Sequence, residues 1–312
     1  MLQSFRNDTK YLASLFKGFS NESIVFFLDL DGFVSPIATV FAANEYIFSL
    51  FAILTNLVHL VVLLQKSMRT TSAYIIMAGI ALSDVLFPIN TVIIKWKSVM
   101  ANNCDPLPSY FTVFTQVEFY NASIFFRRAS SWLGICLAGV RVIVVSFPLN
   151  PRSEKLSTVK SGFRIVFAVL FMSFFPSLGQ ELRFFIKTST QTRSSIFCPQ
   201  IPPNTTEVFY VPQEVPFFYQ NNAIIRRILL VVDGVISKVI PCICYSLFTV
   251  ILLRILIQKS RKQKTLSQNQ KESGYERTTP VVTLMTVFFF LAEFPSGIAY
   301  LIQSLTNSNG VA

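Results

Sequence analysis

The chain has 312 residues, a formal net charge of +11 and 52% hydrophobic residues, with 32 Phe against 14% charged residues, which is too apolar for a soluble domain of this size. One histidine leaves little room for metal or triad chemistry. The sequence also carries no Gly-rich phosphate loop, no Ser/His/Asp set and no His/Cys cluster, so no enzyme, metal or cofactor is expected. The basic residues gather between apolar runs, where membrane topology signals sit, so nucleic acid is not an expected partner.

Residues 1–44 read as an extracellular N-terminal segment without the basic start, apolar core and small-residue site of a removable signal peptide. Six predominantly apolar runs follow, at 46–64, 74–94, 119–147, 163–180, 228–257 and 280–302. Most approach the ~20 residues that a helix rising ~1.5 Å per residue needs to cross ~30 Å of hydrocarbon. The expected fold is an all-α membrane protein, a bundle of six transmembrane helices over 45–303, with a short polar tail at 304–312 that is expected to be extracellular.

Lys66 and Arg69 follow the first run, Arg152, Lys155, Lys160 and Arg164 the third, and Lys259, Arg261, Lys262, Lys264, Lys271 and Arg277 the fifth. The positive-inside rule makes these loops cytoplasmic and the N-terminus extracellular, as for a multi-pass plasma-membrane protein. Glycosylation sequons at Asn7, Asn21 and Asn204 fall on the same outer side. A fourth match, at Asn121, lies inside the third run and reads as chance. The stretch from Lys259 to Lys264 suits anionic lipid headgroups, with a G-protein contact as the alternative. His59 reads as packing.

Cys136, Cys242 and Cys244 lie within runs and read as small apolar packing residues. Cys104 and Cys198 remain in outer loops, where an oxidising compartment favours a bridge between them over two free thiols.

Ser131-Trp132-Leu133, Arg141 nine residues after the Trp, and Pro148 seven residues further on resemble the inner end of the third helix in rhodopsin-like G protein-coupled receptors. Asn56, Asp84, Pro241 and Pro295 match the anchor positions of helices one, two, five and six in that family. Lys66–Ser72, Trp132–Ile135, Ser237–Cys242 and Leu291–Gly297 look more specifically like nematode serpentine receptors of class W, a group similar to FMRFamide-type neuropeptide receptors. The likeness covers about 45–303.

It implies that Arg141 floors a cleft for a heterotrimeric G protein and that Asp84, Asn56, Pro241 and Pro295 belong to the activation machinery. Val140 and Val142 replace the acid and the Tyr that flank the Arg in the family, so Arg141 is expected to be less restrained. Glu293 stands at the position of the sixth-helix Trp, and Thr249 at that of a fifth-helix Tyr. Cys104 lies about twelve residues further from Arg141 than is usual. The family's seventh helix, with its Asn/Asp-Pro-x-x-Tyr motif, finds no counterpart in 304–312, which raises the readings of a truncated isoform or of a dimerising partner that modulates other receptors.

Asp84, Arg127, Arg128, Asp233, Lys238 and Glu293 are charges at membrane depth, each expected to be paired or functional. Counting the helical rise from the cytoplasmic end places Arg127 and Arg128 roughly 20 Å up and Glu293 roughly 22 Å, and Asp233, counted down from the outer end, at about 20 Å, so that the four are expected in one layer. These four are the candidate ligand-binding residues. Adjacent helical residues point about 100° apart, so one of the two arginines should face the cavity. A static salt-bridge network that only fixes helix register fits the same charges.

Amine receptors of the family have an Asp where this chain has Ser123, so a biogenic amine is disfavoured. Two arginines suit a carboxylate or a phenol-rich peptide. The expected function is that of a receptor for a neuropeptide or peptide-like ligand, with a six-span transporter or channel as the more distant alternative. Internal repeats and paired broken helices, the marks of a transporter, are not found in the sequence.

Overall fold

A computed structural model describes residues 20–101, 105–147, 149–192, 206–266, 287, 290–291 and 293–301. Asn7, Cys104, Cys198, Asn204, residues 280–286 of the sixth run and the tail from 304 lie outside the described residues. Asn21 is described only as the first residue of a helix.

The helices are α1 (Asn21–Leu63), α2 (Ser72–Leu86), α3 (Ile89–Met100), α4 (Tyr110–Ser146), α5 (Pro151–Ser157), α6 (Val159–Glu181), α7 (Pro216–Gly234) and α8 (Ile240–Leu266). A π-helical turn, Val235–Val239, joins α7 to α8, and two strands, β1 (Phe184–Thr192) and β2 (Thr206–Glu214), form a hairpin between α6 and α7. Among the described residues five stretches are long and apolar enough to cross a membrane: Ser35–Leu63, Ser72–Met100, Tyr110–Ser146, Val159–Glu181 and Ala223–Gln258. Residues 293–301 of the sixth apolar run are also helical.

The ends follow local chemistry. Ser109 caps α4 by accepting from the Thr112 N–H at 3.3 Å, and Thr158 caps α6 by accepting from Ser161 N–H at 3.3 Å. Asn150 caps the short α5, whose first turn holds Pro151, where a missing N–H costs nothing. The second apolar run is one continuous stretch in sequence but two helices in space. Pro88 has no N–H to continue the ladder of α2, so the chain breaks at Phe87-Pro88 and restarts as α3.

Helix α4 is the axis of the bundle. Ile76 of α2 and Leu133 and Val140 of α4 form its core, with Ile80, Leu137, Val144, Val166 and Val169 packed around them. Gly162 lets α6 approach α2 closely, since a Cβ there would lie 2.9 Å from the Ser72 Cα. Large apolar side chains such as Phe51, Val58, Phe167 and Phe171 point outward, the arrangement that hydrocarbon solvates.

The hairpin is a feature that the sequence reading took as loop. Its strands run antiparallel from Phe184 opposite Glu214 to Thr192 opposite Thr206. The Tyr210 N–H donates to the Pro108 carbonyl at 3.2 Å, and the Tyr210 ring meets Tyr110 edge-on with centroids 5.7 Å apart, which docks the hairpin on the N-terminal end of α4. At its base Glu214 pairs with Arg183 and stands 3.6 Å from Arg226. Phe217 and Phe218, just past the hairpin, sit in the first turn of α7 behind Pro216.

Candidate functional site

The charged layer assembles because α4, α7 with its π turn, and the 293–301 segment come together at similar depth. Pro241 is fully buried and cannot donate to the Ser237 carbonyl one turn earlier. The helix accommodates this with a wider turn, in which the Ile240 N–H bonds the Val235 carbonyl five residues back. That extra residue shifts the face on which Ser237 and Lys238 lie.

Glycine then allows contact with the sixth run. A Cβ at Gly297 would lie 2.9 Å from both the Lys238 Cβ and a Val239 methyl, and one at Gly234 would lie 3.2 Å from the Gly297 carbonyl oxygen. The close approach brings Glu293 to Lys238.

Two clusters result. Arg128 is 3% exposed and makes four hydrogen bonds: Nε to Ser237 Oγ at 2.7 Å, Nη1 to Ser177 Oγ at 2.9 Å and to the Ser173 carbonyl at 3.0 Å, and Nη2 to Asp233 Oδ1 at 2.7 Å. Ser237 also donates to Asp233 at 2.9 Å. A buried arginine needs nearly all its donors satisfied, and here three helices supply the partners.

Arg127, the neighbour on α4, points elsewhere. Its Nη2 lies 2.9 Å from Glu293 Oε1, its Cζ stands 5.2 Å from the centre of the Phe87 ring, and its side chain is 41% exposed. The Lys238 Nζ holds the other oxygen of Glu293 at 2.5 Å. Glu293 therefore carries two cations, while Arg128 and Asp233 balance each other.

A cavity of about 210 Å³ opens beside these clusters, lined by Arg127, Arg128, Asp233, Ser237 and Lys238, by Glu45, Asn90 and Thr91 of α1 and α3, and by Phe87, Tyr120, Ser123, Ile124 and Tyr300. Of the four residues expected to face a ligand, Arg127, Arg128 and Asp233 line it. Glu293 is not among its described wall residues, and its two oxygens are held by Arg127 and Lys238. Ser237, Ser173 and Ser177 as partners of Arg128, and Phe87 as the ring beside Arg127, are roles that the sequence had not assigned, whereas Lys238 was expected to be paired or functional without a named partner.

Further along α4, towards Arg141, a second cavity, of about 230 Å³, is lined by Asp84, Ser130, Arg141, Tyr245 and Thr249 among others. Ser130 donates to Asp84 at 2.6 Å. The Arg141 side chain is exposed and reaches Met77 Sδ at 3.5 Å, and among the described residues no carboxylate pairs with it. Asn56 bonds the Ala52 carbonyl of its own helix at 3.0 Å rather than reaching across to Asp84. Pro295 lies in the helical segment 293–301.

A third cavity, of about 250 Å³, lies between α4 and α6 against Trp132, Met172 and Pro176, and Arg128 closes it with its N–H groups turned toward their partners. Among the described residues no three His, Cys, Asp or Glu side chains are grouped to hold a metal ion.

Residues 43–311 match the serpentine-type seven-transmembrane G protein-coupled chemoreceptors, class Srw. The chain belongs to that family. It is a multi-pass membrane protein of a receptor class rather than an enzyme class, with an all-α bundle as its fold. The Srw chain is also similar to the G-protein coupled receptor dmsr-1 of Caenorhabditis elegans, 24% identical over 228 residues that make up 72% of this chain and 44% of the relative. This chain thus spans less than half the length of the curated relative that it matches.

Proposed function

We propose that this Srw chain forms the transmembrane body of a plasma-membrane receptor, N-terminus outside, that binds a peptide-like ligand from the extracellular side and signals to a heterotrimeric G protein. The observation that carries the reading is the placement of Arg127. Its guanidinium is half-exposed beside a cavity while it still holds Glu293, and Glu293 keeps a second cation, Lys238, in reserve.

A carboxylate or other acceptor on a ligand can take Arg127 away from Glu293 without leaving Glu293 unpaired, because Lys238 stays at 2.5 Å. The exchange breaks the direct ion pair between α4 and the 293–301 helix. A ligand that makes this contact in only one arrangement of the helices shifts the population toward it. On the inner side Arg141 is exposed with no carboxylate partner among the described residues, which suits a side chain that meets a protein when the cleft opens. Ser123 in the cavity wall, where an acidic group would serve an amine, favours a peptide-like ligand over a biogenic amine.

The test is a peptide-library screen against the purified chain in lipid nanodiscs. Hits should bind from solution and lose at least tenfold affinity in Arg127→Gln, which removes the charge and shortens the side chain. Hits indifferent to Arg127→Gln and to Lys238→Met would place the ligand elsewhere.

A further inference from the structure

The far wall of the same cavity has a different character from the Arg127 side. Glu45 of α1 lines it, and among the described residues its carboxylate receives only the Thr91 hydroxyl, at a long 3.4 Å. Asn90 lies beside Thr91 at the start of α3, is 8% exposed, and its carboxamide oxygen has no hydrogen-bond partner among the described residues. A buried amide oxygen without a donor costs about 1–3 kcal/mol, so such atoms ordinarily have a partner. Two acceptor groups, the Glu45 carboxylate and the Asn90 amide oxygen, thus stand on the α1/α3 side of a cavity that Arg127 and Lys238 line as donors, with Asp233 already taken by Arg128.

The contrast is set by the fold. The Phe87-Pro88 break ends α2 and starts α3 at the cavity, which brings Asn90 and Thr91 to its wall. Without the break these residues would continue the line of α2.

We propose that the cavity takes a dipolar ligand, with a cationic N–H group such as a guanidinium or ammonium seated on Glu45 and Asn90 and an accepting group seated on Arg127. The proposal rests on the reading of this cavity as the ligand site and names the ligand chemistry. Neither end suffices alone. A purely anionic ligand leaves the Glu45 and Asn90 acceptors unmet, and a purely cationic one meets Arg127 and Lys238 as like charges. At about 210 Å³ the cavity holds one side-chain-sized group and not a whole peptide, so the dipole belongs to a terminal piece of the ligand.

Three small rigid probes test this on the whole chain in lipid nanodiscs: 4-guanidinobenzoate, benzoate and phenylguanidine, with binding read by calorimetry. The two-headed probe should bind about tenfold or more tighter than either half. Glu45→Gln should bring 4-guanidinobenzoate down to the level of benzoate, with benzoate itself bound no more weakly than by the parent chain because a like charge has gone. Glu45→Lys should reverse the preference, so that terephthalate, with a carboxylate at each end, outbinds 4-guanidinobenzoate.

Equal binding of 4-guanidinobenzoate and benzoate, both lost in Arg127→Gln, overturns the acceptor wall and leaves the cavity as the ligand site. Indifference of 4-guanidinobenzoate to Glu45→Gln overturns it as well. Silence of all three probes at millimolar concentration overturns this inference and the cavity reading together.

Discussion

Replacing Glu293 by Gln removes one negative charge and leaves Arg127 and Lys238 facing a neutral amide. The two cations do not suffer equally. The Lys238 side chain is 7% exposed and has no water to fall back on, whereas that of Arg127 is 41% exposed and turns toward the cavity. Breaking a buried pair by removing one partner costs about 3–5 kcal/mol, while an exposed pair is worth about 0–1 kcal/mol. Most of the loss therefore belongs to Lys238.

At roughly 2–4 °C per kcal/mol for a chain of a few hundred residues, Glu293→Gln should lower the melting temperature in nanodiscs by about 6–20 °C. Adding Lys238→Met should recover most of that, because an apolar side chain of similar length is content where the ammonium sat. Adding Arg127→Gln instead should recover little. The reasoning fails if the Lys238→Met double variant melts no higher than Glu293→Gln alone, or if Arg127→Gln is the better rescue.

Arg128→Lys should be nearly as damaging as Arg128→Met, about 3–5 kcal/mol in each case, because an ammonium cannot reproduce four bonds directed at Asp233, Ser237, Ser177 and the Ser173 carbonyl. Fluorescence-detected size exclusion should show the loss of folded protein in both. Gly297→Ala places a methyl 2.9 Å from the Lys238 Cβ and should cost about 1–3 kcal/mol as the sixth run is pushed from the π turn, seen as a lower melting temperature. Arg141→Met should change stability by less than about 0.5 kcal/mol, since that side chain is exposed and touches only a Met77 sulfur in its described polar contacts, and it should abolish nucleotide exchange on an added G protein.

The depth of the charged layer was legible because uninterrupted helices convert residue number into height at a fixed rise. Arg127, Arg128, Asp233 and Glu293 could be placed together on that basis; the 100° step between neighbours gives the two arginines different ion-pair partners, yet both line the cavity where one was expected. Which acid each arginine takes was not legible. That depends on the rotation of α7, and the π turn forced by Pro241 inserts a residue that a regular helix count omits.

Lys238 was visible as a charge at depth, but its bond to Glu293 depends on the contact between Gly234 and Gly297, a distance between segments far apart in sequence. Asn90 and Thr91 gave no sign because the second apolar run reads as one helix until Pro88 is seen to break it. The hairpin had a signal that went unused. Thr188, Thr190 and Thr192 oppose Tyr210, Val208 and Thr206, a β-branched and aromatic pattern in what read as an irregular loop. Belonging to the Srw family was legible throughout, because the anchors Asn56, Asp84, Trp132, Arg141 and Pro241 are matters of spacing alone.

The most direct test of the ligand site is thiol labelling at Ser123, which lines the cavity and is 9% exposed. Ser123→Cys, in a background where Cys136, Cys242 and Cys244 are replaced by Ala or Ser, should react with a membrane-impermeant methanethiosulfonate applied from outside intact cells, and a bound library hit should slow that reaction at least tenfold. Labelling only from the cytoplasmic side, or labelling that no hit protects, would contradict an outward-facing ligand cavity at Arg127.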